Sequence, residues 1–299
     1  MTQADIRLEN DVLEVGIFLK GAELCSIRRK SDGTEYLWNG DPEYWRFRAP
    51  ILFPFVGGLK DKKYRVDGVE YPMNQHGFAR DKAFEVMENT GEEIWLGQED
   101  DEETRKMYPF RYRLELGYRL EGSTLKVMWR VKNPDTKPLY FSIGGHPGFM
   151  CPIRKGEKQS DYSLVLRDGQ GRLLSSFTNS VFGKIGLVTD QKKEYVLDHG
   201  RLSIDEHLFD GDALILEHDQ VQSISIADPA GKEYLEVRFP MPLVGIWSVP
   251  GKQAPFVCIE PWYGRCDKEG FEGELKDREW GNVLAPGAGF EASYDIVIK

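Results

Sequence analysis

Two neighbouring stretches of this chain alternate apolar and polar residues without a break, and that period of two constrains the fold more than any other feature. Tyr112, Leu114, Leu116, Tyr118 and Leu120 are interleaved with Arg113, Glu115, Gly117 and Arg119. A strand sends successive side chains to opposite faces, so the pattern predicts a half-buried strand. After Glu121-Gly122-Ser123 it resumes, with Leu125, Val127, Trp129 and Val131 set against Lys126, Arg130 and Lys132. Together the two stretches read as a hairpin. The alternation returns at Leu235, Val237 and Phe239 and again from Phe290 to Ile298, with Asp228-Pro229-Ala230-Gly231 supplying a turn.

Helical spacing is scarce. Glu99 to Met107, stopped by Pro109, predicts one short helix, and Asp41 to Trp45 at most a turn. Without crossover helices a parallel sheet has no connections, so the expected fold is all-β: a large antiparallel β-sandwich with few short helices. All-β chains of 299 residues often stay undivided, and with no linker or repeat in view residues 1–299 are expected to form a single domain.

A balance of 39 basic against 49 acidic residues, net charge -10, disfavours a nucleic-acid backbone or an anionic membrane as partner. A small neutral or polar ligand fits better. Cys25, Cys151, Cys258 and Cys266 show no C-x-x-C spacing and read as reduced thiols. The start, Met-Thr-Gln-Ala-Asp-Ile-Arg, lacks the basic and apolar regions of an export signal, and no apolar run is long enough to span a bilayer, so the cytoplasm is the expected location.

Three short segments depart from the alternation by setting ionisable groups among glycine, proline and aromatic residues: Asn74-Gln75-His76-Gly77-Phe78-Ala79-Arg80, Gly144-Gly145-His146-Pro147-Gly148-Phe149, and Cys258-Ile259-Glu260-Pro261-Trp262. Leu139 to Ile143 reads as a strand leading to glycines that let the backbone turn around His146. Such a histidine serves a loop about as often as a reaction. Glu260 ends an apolar run, where a carboxylate is costly unless paired or raised in pKa, and a raised pKa suits a general base. His76, Phe78 and Arg80 offer an imidazole, an aromatic face and a guanidinium to a sugar. His199, His207 and His218 lie among charged residues and read as surface.

Taken in order, the His-Gly-Phe-Ala-Arg, Gly-Gly-His-Pro-Gly-Phe and Ile-Glu-Pro-Trp segments resemble the aldose 1-epimerase (galactose mutarotase-like) family, LacX-type branch. Pro50-Ile51-Leu52-Phe53-Pro54, Leu208 to Leu214 and Gly245-Ile246-Trp247-Ser248 extend the likeness over nearly the whole chain. The resemblance implies a β-supersandwich with an open cleft and an isomerase that interconverts the α and β anomers of an aldose. It implies His146 and Glu260 as the catalytic acid and base and His76 as a second, substrate-binding histidine. Asp212 matches the acidic residue that holds sugar hydroxyls, with Asp210 as a competitor. Relatives commonly carry a basic residue where this chain has Gly58, and Lys60 or Arg80 is expected to substitute for it.

Ring opening needs a base at the anomeric hydroxyl and an acid at the ring oxygen, and no redox, metal or group-transfer cofactor. The rivals are a hexose phosphate as substrate, drawn by Arg46, Arg48, Lys60, Lys62 and Lys63; a glycosidase using Glu260 with Asp212; a non-catalytic sugar-binding module; and a metal site from His76, His146 and Glu260. Trp247, Trp262 and Phe78 are candidates to stack on a sugar, though core positions are the commoner fate of such residues.

Overall fold

A computed structural model describes residues 3–299. Two large sheets dominate it, one of nine strands and one of eight, accompanied by smaller two- and three-stranded sheets. Their paired strands run antiparallel, as expected from the lack of crossover helices. The hairpin forms from Arg113–Glu121 and Thr124–Lys132, with Leu120 opposite Leu125 and Leu116 opposite Trp129. Thr124–Lys132 pairs on its other side with Gly289–Ile298, so the two longest alternating regions of the sequence lie side by side.

One apolar cluster runs from Leu8 to Ile298 and takes side chains from both large sheets. Leu114, Leu116, Val127 and Trp129 come from the nine-stranded sheet, and Val244, Ile246, Val257 and Ile259 from the eight-stranded one. Period-two geometry then fixes the other face of the Phe256–Tyr263 strand: with Val257 and Ile259 in the core, Phe256, Cys258, Glu260 and Trp262 point away from it.

The structure corrects several expectations. Arg113–Glu121 is not half-buried: Glu115 is buried on the polar face, 2.7 Å from Arg113 with Arg130 and Lys132 nearby, and Gly117 lies under Trp95 and Met128. A charged residue in the pattern proved compatible with burial because three cations surround it. The helix spans Glu102–Met107 and not Glu99 onward, because Asp101 caps it: Thr104 N donates to Asp101 Oδ1 at 2.6 Å, and Glu99 closes the preceding strand. Leu139 to Ile143 is two strands, Leu139–Phe141 on Asn282–Leu284 and Ile143–Gly145 in the eight-stranded sheet. All four cysteines are free thiols, and among the described residues no helix is long and apolar enough to cross a membrane.

Candidate active site

The site grows from the register of two strands. Gly144 pairs with Trp262 before His146, and Gly148 pairs with Cys258 after it. Continuing that register sets His146 opposite Glu260, where cross-strand neighbours share a face. The ladder is interrupted at His146-Pro147, and His146 N donates to Pro50 O at 3.1 Å instead. His146 Nε2 lies 3.3 Å from Glu260 Oε2, with the residues 7 % and 2 % exposed. On the other side of Glu260 the sheet partner is Gly245.

The glycines act by lacking a side chain and not, as expected, by turning the backbone. Gly144, Gly145 and Gly148 lie in strands and none has positive φ. A Cβ on Gly144 would stand 2.4 Å from the Trp262 ring, and one on Gly245 2.3 Å from its far edge. The indole lies across both glycines, which explains why it is 4 % exposed and belongs to the packing beside Glu260. Gly148 leaves similar room for Trp45, Cys258 and Phe256. Trp45 lies 4.7 Å from the His146 ring at an interplanar angle of 30°, and Trp247 meets the same ring edge-on at 5.6 Å.

His76 enters from a different loop. Its φ of 68° and that of Gly77, 71°, are both left-handed, and a Cβ on Gly77 would collide with Phe53 O at 2.3 Å, so the second of these positions requires glycine. Gly57 N donates to His76 Nδ1 at 3.1 Å while His76 N donates to Gly57 O at 2.9 Å. Nδ1 is therefore the acceptor of a neutral ring, and Nε2 carries the proton. Burial, with the charges of His146 and Arg80, pushes the His76 pKa well down. The His76 and His146 ring centres are 5.6 Å apart.

Burial, reinforced by the Asp212 charge, holds Glu260 well above the ordinary carboxylate range. Burial and the Arg80 charge push His146 down to about 3. Burial thus disfavours the ionised form of both groups.

The remaining expected residues fall in different places. Arg80 is close enough to act on both histidines; its guanidinium lies 4.7 Å from the centre of the Phe47 ring, and one Nη donates to Gln75 O at 2.9 Å. Asp212 is exposed, with Oδ1 accepting from Ala213 N at 2.8 Å, whereas Asp210 is engaged by His207 at 2.8 Å. Lys60 forms an ion pair with Glu272, and its backbone N donates to Asp267 at 2.9 Å. Space beside Gly58 is open, the nearest atoms to a Cβ there being Leu187 at 3.6 Å and Gly186 O at 3.7 Å. Phe78 packs against Tyr108 and Tyr112, and His199, His207 and His218 are exposed. Trp45 was not anticipated; its signal is a tryptophan among the polar residues of an Asp41 to Arg46 turn.

Residues 4–292 match the aldose 1-epimerase family, and the chain belongs to it. It is 32% identical to Protein LacX (plasmid) of Lactococcus lactis subsp. lactis over 301 residues, covering 98% of this chain and 99% of the relative. Among solved structures it resembles the galactose mutarotase related enzyme from Lactobacillus acidophilus, with a TM-score of 0.91 at 32% identity over 98% of this chain and 97% of that one. A galactose mutarotase-like protein from Lactobacillus casei also gives 0.91, at 31% identity and 98% and 99% coverage.

Proposed function

We propose that this protein is an aldose 1-epimerase that opens and recloses a pyranose ring with Glu260 and His146. The observation that carries the reading is the buried 3.3 Å contact between Glu260 Oε2 and His146 Nε2, on the sheet face that points away from the core. With both ionised forms disfavoured by burial, the pair rests as carboxylic acid beside neutral imidazole and holds one transferable proton. A sugar's hydroxyls favour the ionised form, carboxylate beside imidazolium, by hydrogen bonding to it. Glu260 then takes the O1 proton as His146 gives its own to O5; the C1–O5 bond breaks toward O5 and C1=O1 forms. The pair is left as carboxylic acid and neutral imidazole, its resting state. Rotation about C1–C2 and the reverse transfers yield the other anomer, so no proton is owed to or taken from bulk water.

The His76 Nε2–H is a donor for a sugar hydroxyl, and Asp212 and Arg80 supply an acceptor and a cation at the rim. Trp45 and Trp247 offer apolar faces beside His146. Acid–base assistance contributes about 10²–10⁴-fold per group.

A phosphorylated aldose is the second reading, favoured by one feature. Arg46 and Arg80 approach the same Phe47 ring, at 4.6 and 4.7 Å. Arg48 and Lys63 are less available, the first donating to Asn39 O and the second paired with Glu70. The test follows the optical rotation of fresh α-D-glucose, α-D-galactose and α-glucose 6-phosphate with the native protein and with Glu260→Gln and His146→Asn. Native acceleration, lost by about 10²–10⁴-fold in both variants, is expected. No acceleration with any of the three sugars refutes the reading and leaves the non-catalytic binding module.

A further inference from the structure

Cys258 precedes Glu260 by two residues on one strand, so both side chains leave the same face. Ligand atoms of His146, Cys258 and Glu260 lie within 4.8 Å of one another, and all three residues are buried. Donors on a tetrahedral zinc ion, bonded at about 2.0–2.3 Å, stand roughly 3.3–3.8 Å apart. His146 and Glu260 already meet that spacing at 3.3 Å. The thiol needs to close by about 1 Å at most, within reach of a side-chain rotation.

We propose that these three residues form a binding site for a thiophilic divalent cation such as Zn²⁺, held by Cys258 Sγ, a His146 ring nitrogen and a Glu260 carboxylate oxygen. Water or a sugar hydroxyl takes the fourth position. The set differs from the histidine-rich one considered from sequence, because Cys258 joins it in place of His76. A thiolate with an imidazole selects zinc over magnesium or calcium, which prefer oxygen ligands. The charges also balance: Zn²⁺ replaces the thiol proton of Cys258 and the carboxyl proton of Glu260, two protons leave, and the buried cluster stays neutral. Among the described residues Glu260 has no ion-pair partner besides His146, and His146 Nδ1 is buried without a hydrogen-bond partner; apart from the Asp212 charge, the Trp262 side chain is the one further group that acts on the Glu260 carboxyl.

Occupancy would be inhibitory, because both proton-transfer groups become ligands. That consequence rests on the proposed function; the binding itself does not. The test adds Co²⁺ and then Zn²⁺ to the full chain. A thiolate-to-cobalt charge-transfer band that Zn²⁺ abolishes is expected. So is a single calorimetric Zn²⁺ site whose affinity rises with pH. Cys258→Ser should weaken that site by at least about 100-fold, beyond the usual effect of losing an outer-shell partner. Mg²⁺ should give no binding. A cobalt complex without the thiolate band overturns the site whatever the variant does, so misfolding of Cys258→Ser cannot shield it. Equal Zn²⁺ affinity in native protein and folded Cys258→Ser likewise overturns it. If Zn²⁺ binds with the expected signature and mutarotation continues, the inhibitory role falls; if the metal-free protein never accelerates mutarotation, the function reading falls and the site stands.

Discussion

Two glutamates sit in the same eight-stranded sheet with almost no exposure, Glu217 at 3 % and Glu260 at 2 %, and their surroundings treat them in opposite ways. Glu217 accepts from Ser180 Oγ at 2.7 Å, Lys192 Nζ at 2.7 Å and Arg265 Nε at 2.5 Å. Burial raises its pKa, but these donors outweigh it and bring the group down to about 2. Glu260 has burial and the Asp212 charge acting against ionisation, and only the neutral Trp262 side chain and an imidazole beside it, with no cation. A buried carboxylate given its full set of donors is fixed as framework. One left short of them keeps a proton it can give up when a ligand changes its surroundings, which is the property acid–base chemistry needs.

If Glu217 is held by charge, removing a cation should unfold what surrounds it. Arg265 also donates to Cys266 O at 2.9 Å and pairs with Glu279, so it ties the segment after the Phe256–Tyr263 strand to the Leu214–Glu217 strand, which lies beyond Leu243–Trp247 in the same sheet. Arg265→Met is expected to cost about 3–5 kcal/mol, because it strands a buried charge. Denaturant unfolding measures it, and a loss below about 1 kcal/mol would mean that Glu217 is as poorly held as Glu260.

Glu260 is positioned by packing, so a steric change is the matching perturbation. Gly245→Ala drives a Cβ into the Trp262 indole at 2.3 Å on the strand beside Glu260. Overpacking of this kind costs about 1–3 kcal/mol. On the proposed function, the mutarotation rate should fall at least tenfold, through displacement of the carboxylate. A variant that lost stability yet kept its full rate would show that Trp262 does not set the Glu260 position.

The contrast between these glutamates is the part of the molecule least legible in the sequence. Period two is a backbone property, so Arg113 to Lys132 announced its hairpin, and the histidine, glutamate and glycine segments stood out because they broke that period. Whether a charge in an alternating strand is solvated or buried depends on cations that arrive from other strands, as Arg130 and Lys132 do for Glu115. Glu217, at the end of Leu-Ile-Leu-Glu, gave no hint of the Arg265 that reaches it from 48 residues away. The glycines around His146 were visible, but their use depends on Trp262 and Trp45, which lie far off along the chain. Lys60 stood two residues from the missing basic position at Gly58, yet Glu272 pairs with it.

The smallest effect gives the sharpest comparison, because the two glutamates should change stability with pH in opposite directions. Glu260 is raised above its unfolded value of 4.5, so its contribution is fully present below that pH and is lost as pH rises through its folded value. Glu217, lowered from 4.5 to about 2, contributes fully above pH 4.5 and loses that contribution as pH falls toward 2. Glu260→Gln should therefore melt a few degrees above the native protein at neutral pH, with the gap closing as the solution is acidified. Glu217→Gln should melt below the native protein at neutral pH, and its deficit should shrink over the acid range. Thermal unfolding of the three proteins from about pH 3 to about pH 8 measures both differences. Slopes of the same sign would mean that the two carboxylates are held alike, and that the acid–base role proposed for Glu260 must draw on the sugar alone.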